Sequence, residues 1–132
     1  MKTKNSTLES SIQKINDFNK ARGWNPLPSD LAKSIVLEAA ELLEHFQWDD
    51  TNSKSKNEIL KNKNWEEIGE EVADVFWYLV NFCNKSGIDL NNAVLDKLEK
   101  NEIKYPAKMF NGKHNEKFYR EQKRKYREKK KK

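Results

Sequence analysis

Apolar residues recur along this chain at spacings of three and four, and no alternating run competes with them. Leu8, Ile12, Ile15 and Phe18 predict a helix over about 8–21, capped by Ser6 or Thr7 and ended by Gly23. Pro26 and Pro28 make the next stretch a loop. A second helix is predicted from a Ser29 or Asp30 cap to about Phe46, with Leu31, Ile35, Leu42 and Phe46 in one stripe. The polar stretch 49–64 carries a short helical segment near 57–61. A third long helix runs from about Trp65 to Lys85, with Ile68, Val72, Val75 and Leu79 as its stripe and Gly87 at its close. Asp89 caps a fourth, from Leu90 to about Lys104, with Ala93, Val94, Leu95 and Leu98 facing inward and Tyr105-Pro106 as its stop. Helices of this length on short connections predict an all-α fold, an antiparallel four-helix bundle.

Acids border two of these stripes. Glu38 and Glu41 lie on the second helix, Glu71 and Asp74 on the third, and each pair is spaced i,i+3 on one face. At ~100° per residue, Glu38 falls at the stripe edge between Ile35 and Leu42, with Glu41 further round and Glu44 further still. Glu71 flanks its own stripe, Asp74 lies beyond it, and Glu70 points the opposite way. A carboxylate beside an apolar stripe is costly unless it is paired or bound to metal. Packing the two faces together brings four carboxylates into one place. They repel one another unless a cation sits among them, and hard oxygen ligands favour Mg²⁺, Mn²⁺ or Ca²⁺. Glu44 and Glu70 read as solvated.

Composition narrows the setting. The chain has 132 residues, 36% apolar and 36% charged. That is one domain, polar for a monomer and suited to a helical subunit that assembles. Val36 and Leu43 lie beside the stripe of the second helix, so a homodimer or homotetramer is expected. No apolar run reaches the ~18 residues of a membrane span, and the first residues carry no signal-type segment. The single cysteine, Cys83, sits in an apolar run and reads as a buried thiol. These features point to the cytoplasm. The net charge of +5 hides a division. Residues 113–132 hold 11 Lys/Arg and 3 Asp/Glu, leaving residues 1–112 mildly acidic. The expected organisation is therefore a helical domain over 1–112 and a basic tail over 113–132. Phe118, Tyr119 and Tyr126 allow part of that tail to be helical. The tail reads as a solubilising extension in preference to a nucleic-acid binding arm, because the body is acidic.

With the acids placed, the chain resembles the MazG-like all-α nucleoside triphosphate pyrophosphohydrolases, most of all the branch containing dCTP pyrophosphatase. The resemblance runs from about Leu8 to Pro106 and rests on ordered motifs. They are Arg22-Gly23-Trp24, Glu38-x-x-Glu41-x-x-Glu44 with Phe46-Gln47-Trp48, Glu71-x-x-Asp74 with Tyr78, and Asn101-x-x-Lys104-Tyr105-Pro106. The resemblance implies hydrolysis of the α–β bond of a nucleoside triphosphate with Mg²⁺, or Mn²⁺ in its place, giving a monophosphate and pyrophosphate. It places metal ligands at Glu38, Glu41, Glu71 and Asp74. It makes Trp24 and Trp48 base-contacting aromatics, although on their own these tryptophans read as core. Tyr78, Asn101, Lys104 and Tyr105 match positions that line the nucleotide pocket. Glu41, outermost on its face, is the candidate to take a proton from the attacking water. Lys100 and Lys104 can neutralise the departing pyrophosphate, although lysines near a helix C-terminus also serve the macrodipole. Ser29-Asp30 replaces a basic residue that many relatives carry before the second helix.

Two other readings stand beside this one. The first is a non-enzymatic bundle that binds nucleic acid through the basic tail. The second is a phosphoribosyl-ATP pyrophosphohydrolase, which Phe46-Gln47-Trp48 and the two loop tryptophans disfavour. His45 has no E-x-x-H spacing, which argues against a di-iron bundle.

Overall fold

A computed structural model describes residues 6–49, 55–110, 112 and 115–131, all helix or connection among the described residues. The helices are α1 (Leu8–Ala21), α2 (Pro28–Glu44), α3 (Lys56–Lys61), α4 (Trp65–Ser86), α5 (Leu90–Lys104), α6 (Ala107–Phe110) and α7 (Glu116–Lys129). The chain divides into two compact units between Ile88 and Asp89.

In the first unit α4 is the central element, packing mainly on α2 and also on α1. The Thr7 hydroxyl caps α1 at the Ser10 N–H. Asn64 caps α4, and Gly87 ends it at φ +65°, the left-handed conformation a glycine adopts without a Cβ penalty. Helix α2 departs from expectation at its start. Pro28 is its first residue, so Ser29 and Asp30 lie inside the first turn and Leu27 stands at the cap position without a side-chain bond. Proline suits that place because its missing N–H would be unpaired there anyway. The polar stretch does form a short helix, α3, with Ser55 and Glu58 bonded reciprocally in a capping box.

Pairings between helices fix their directions. Asn16 meets Asn84 and Asn19 meets Asn81, so α1 runs against α4. The start of α2 shares a cavity with the end of α4, whereas Glu38 meets Glu71 and Asp74 further back, so α2 also runs against α4. The buried apolar residues are Ile15, Leu31, Ile68, Val80 and Cys83, burial that confirms the cysteine as a core residue. Two expectations for α4 are corrected. Val72 is 51% exposed, and Trp65, which the helical pattern alone reads as a packing anchor at the start of α4, is 52% exposed. On this helix Ile68 is buried and Glu71 and Val75 are half-buried, whereas Val72 faces outward.

The second unit holds α5, α6 and α7. The Asp89 carboxylate caps α5 at the Asn92 N–H, 2.9 Å away. Ala93, Val94, Leu95 and Leu98 are exposed, not inward-facing as their spacing suggested. The C-terminal segment is not a loose extension. Asn115 caps α7, which packs on α5 and buries Gln122. Tyr105 stacks on Tyr119 at 5.1 Å between ring centroids, and Phe110 meets both Tyr105 and Phe118 edge-on. The expected domain break at 112/113 therefore lies inside this unit.

Candidate active site

The apolar seam between α2 and α4 dictates where their acids meet. Leu31, Ile35 and Leu42 on α2 pack towards α4, and Glu38 sits on the same side between them. On α4, Glu71 lies one turn past the buried Ile68, with Asp74 three residues later. Glu38, Glu71 and Asp74 each offer a carboxylate oxygen, and these oxygens lie within 4.8 Å of one another. Glu38 and Glu71 are half-buried, whereas Asp74 is exposed. Burial raises the pKa of Glu38, and Glu41, Asp74 and Glu71 raise it further. Glu71 is raised for the same reasons, burial first and then Glu41 and Asp74, while nearby His45 pulls it down. Glu41 thus stands outside the three converging oxygens but within their electrostatic reach.

The donor set suits a hard divalent cation. Three carboxylate oxygens converge, and the repulsion that raises Glu38 and Glu71 is the kind of cost a cation removes. Mg²⁺ and Mn²⁺ both fit oxygen ligands of this type.

An open cavity of about 930 Å³ lies at the start of α2. Trp24, Trp77 and Tyr78 give it aromatic walls, and Asp30, Ser34 and Asn81 supply polar edges. Phe18 holds both tryptophans edge-on, at 5.7 Å from Trp24 and 5.1 Å from Trp77. Asn19 Nδ2 donates to Asn81 Oδ1 at 2.6 Å in the same wall. Ser34 precedes Glu38 by four residues and Tyr78 follows Asp74 by four, so the cavity ends one helical turn from the carboxylates.

The residues singled out in the sequence thus fall into separate groups. Glu38, Glu71 and Asp74 converge, and Trp24 and Tyr78 line the adjoining cavity. Trp48 stands apart, on the turn after α2, 86% exposed. Asn101, Lys104 and Tyr105 belong to the second unit, where the Lys104 ammonium lies 4.8 Å from the Tyr105 ring centroid and 5.5 Å from that of Tyr126. Two further residues bear on these groups, His45 in a role its spacing did not suggest and Lys63 with no signal in the sequence. His45 is close enough to Glu71 to lower its pKa, and Lys63 ties down the turn that carries Trp48. Lys63 lies in a polar stretch, where a lysine normally reads as solvated.

A model of the MazG-like family matches residues 33–122, a span that includes all three converging carboxylates. The chain belongs to the MazG-like family. MazG-like relatives include dCTP pyrophosphatase 1 of Rattus norvegicus, 31% identical over 108 residues, or 80% of this chain and 63% of the relative. The Homo sapiens protein of the same name is 33% identical over 103 residues, 76% of this chain and 60% of its own length. The chain therefore spans somewhat less than two thirds of these curated relatives. A crystal structure of a pyrophosphatase from Archaeoglobus fulgidus superposes with a TM-score of 0.67 at 39% identity, covering 80% of this chain and 98% of that one. The resemblance carried by the motifs holds at the level of family.

Proposed function

We propose that this MazG-like chain is a Mg²⁺-dependent nucleoside triphosphate pyrophosphohydrolase that cleaves the α–β bond and releases a monophosphate and pyrophosphate. The observation that carries the reading is the convergence of Glu38, Glu71 and Asp74 beside a nucleotide-sized aromatic cavity. The names of the relatives, dCTP pyrophosphatase 1 and a pyrophosphatase, support it.

Glu38, Glu71 and Asp74 would hold the cation. Once bound, the cation offsets the repulsion between carboxylates and triphosphate and polarises the phosphoryl group. Glu41, outside the three, is placed to take the proton of the attacking water. The cavity one turn away takes the base, with Trp24 supplying a stacking face worth ~1–3 kcal/mol. By resemblance to the family, Asn101, Lys104 and Tyr105 of the second unit would also contact nucleotide. Lys104, with Lys100 beside it, would neutralise the leaving pyrophosphate.

Trp48 makes the site composite. It lies beyond the end of α2, whereas Trp24 lies before its start, and the 17 residues of α2 span about 25 Å. One base cannot stack on both within a single chain. The reading is therefore a homodimer or a homotetramer, in which Trp48 of one copy reaches the base cavity of a second. Exposed Val36, Leu37 and Leu43 on α2 supply apolar surface for that assembly.

Product analysis tests the reaction. Equal amounts of monophosphate and pyrophosphate from a deoxynucleoside triphosphate support it. A diphosphate and orthophosphate, or no turnover across a panel of bases, would refute it.

A further inference from the structure

Lys63 makes three contacts on one turn. Its ammonium donates to the His45 carbonyl, lies 2.6 Å from Asp49 Oδ2, and sits 4.7 Å from the centroid of the Phe46 ring. The ion pair is well sheltered, with 13% of the Lys63 side chain and 16% of the Asp49 side chain exposed. Its directed hydrogen bond goes to the His45 carbonyl, and Asp49 Oδ2 is met by charge without an aligned N–H. The other ion pairs among the described residues lie on exposed side chains within single helices, at i,i+3 or i,i+4. The Lys63 pair instead joins the segment after α2 to the residue two before α4. A sheltered pair of this kind contributes little net stability against an apolar replacement, but it fixes geometry. The geometry it fixes is a turn of four residues, 45–48, that holds a tryptophan almost wholly in solvent.

An indole left in water on a turn held at its first, second and following residues is poised for contact with something outside its own fold. We propose that Lys63 is a positioning residue for nucleotide binding: it clamps the His45–Asp49 turn and so presents Trp48 to the base. The inference rests on the reading of Trp48 as a base-stacking residue. Lys63 belongs neither to the carboxylate cluster nor to the lining of the aromatic cavity. It acts on binding through Trp48, and its effect falls on KM rather than on kcat.

The test is a double-mutant cycle on the full-length protein, with KM and kcat measured for a deoxynucleoside triphosphate in Mg²⁺. Lys63→Met keeps the stem and removes the charge, and Lys63→Met/Asp49→Asn removes both charges in case an unpaired Asp49 impairs folding. The expected result is a KM raised about tenfold with kcat within about twofold, and partial rescue by Lys63→Arg. In a Trp48→Ala background, Lys63→Met should raise KM no further. If Trp48→Ala alone leaves KM unchanged, the base-stacking reading fails and the clamp has no binding role. If Trp48→Ala raises KM but Lys63→Met does not, or if the two effects multiply, Lys63 does not act through Trp48 and the proposal is overturned.

Discussion

Glu38 on α2 and Asp74 on α4 each hold a carboxylate oxygen within 4.8 Å of the other, with Glu71 completing the group. Nothing in apolar packing calls for three acids at one point. Their cost is visible as raised pKa values at Glu38 and Glu71, caused by burial first and neighbouring carboxylates second.

That cost predicts an unusual pH dependence in metal-free buffer. A carboxyl group with a raised folded pKa is protonated more readily in the folded protein than in the unfolded chain. Its stabilising contribution is fully present below the ordinary carboxylate value of about 4.5 and is lost as pH rises through the raised folded value. The contribution from Glu38 and Glu71 should therefore fall as pH climbs from there towards neutrality. Added Mg²⁺ should restore the melting temperature at neutral pH and have little effect in acid. Melting curves across pH, with Mg²⁺ and with EDTA, check this; a Mg²⁺ effect independent of pH would count against it.

The proposed assembly draws on exposed apolar residues of α2. Val36→Glu combined with Leu43→Glu should shift the protein from dimer or larger to monomer in sedimentation, with no loss of helix by circular dichroism. A wild-type protein that sediments only as a monomer at micromolar concentration refutes the assembly.

The proposed composite site allows a mixing experiment. Trp24→Ala and Trp48→Ala proteins, each weak alone, should regain about a quarter of wild-type activity when mixed at equal amounts as randomly exchanging dimers, because each mixed dimer has one intact site. No recovery after verified subunit exchange would mean that both tryptophans act within one chain.

Tyr119 stacks on Tyr105, and Tyr105 is a nucleotide position by resemblance. Tyr119→Ala should raise KM severalfold while kcat stays within about twofold. Steady-state kinetics with the free nucleotide reads this directly. An unchanged KM would show that α7 serves the second unit only as packing.

Much of this was legible in the sequence. Thr7 and Asp89 accept from helix-start N–H groups, and Gly87 takes up a positive φ, because these residues act locally. Glu38, Glu71 and Asp74 were readable because a carboxylate beside an apolar stripe is out of place. Periodicity failed where it had to choose a phase. Val72 satisfies the stripe spacing on α4 yet is half exposed, because spacing alone does not set which edge of a stripe is covered. Val94, Leu95 and Leu98 obey helical spacing yet remain exposed, because spacing does not say what an apolar face meets. In the C-terminal segment, lysine and arginine outweighed the aromatic residues that dock α7. Lys63 was invisible because its three contacts come from a turn far from it in sequence.

The most direct test of the central claim is pyrophosphate release by wild-type protein and by Glu38→Gln across a Mg²⁺ titration, with EDTA as the zero point. The wild type should release pyrophosphate only with Mg²⁺ and not in EDTA, and the folded variant should lose at least about a hundredfold in kcat at every Mg²⁺ concentration. Near wild-type turnover by Glu38→Gln, or release that persists in EDTA, would contradict it.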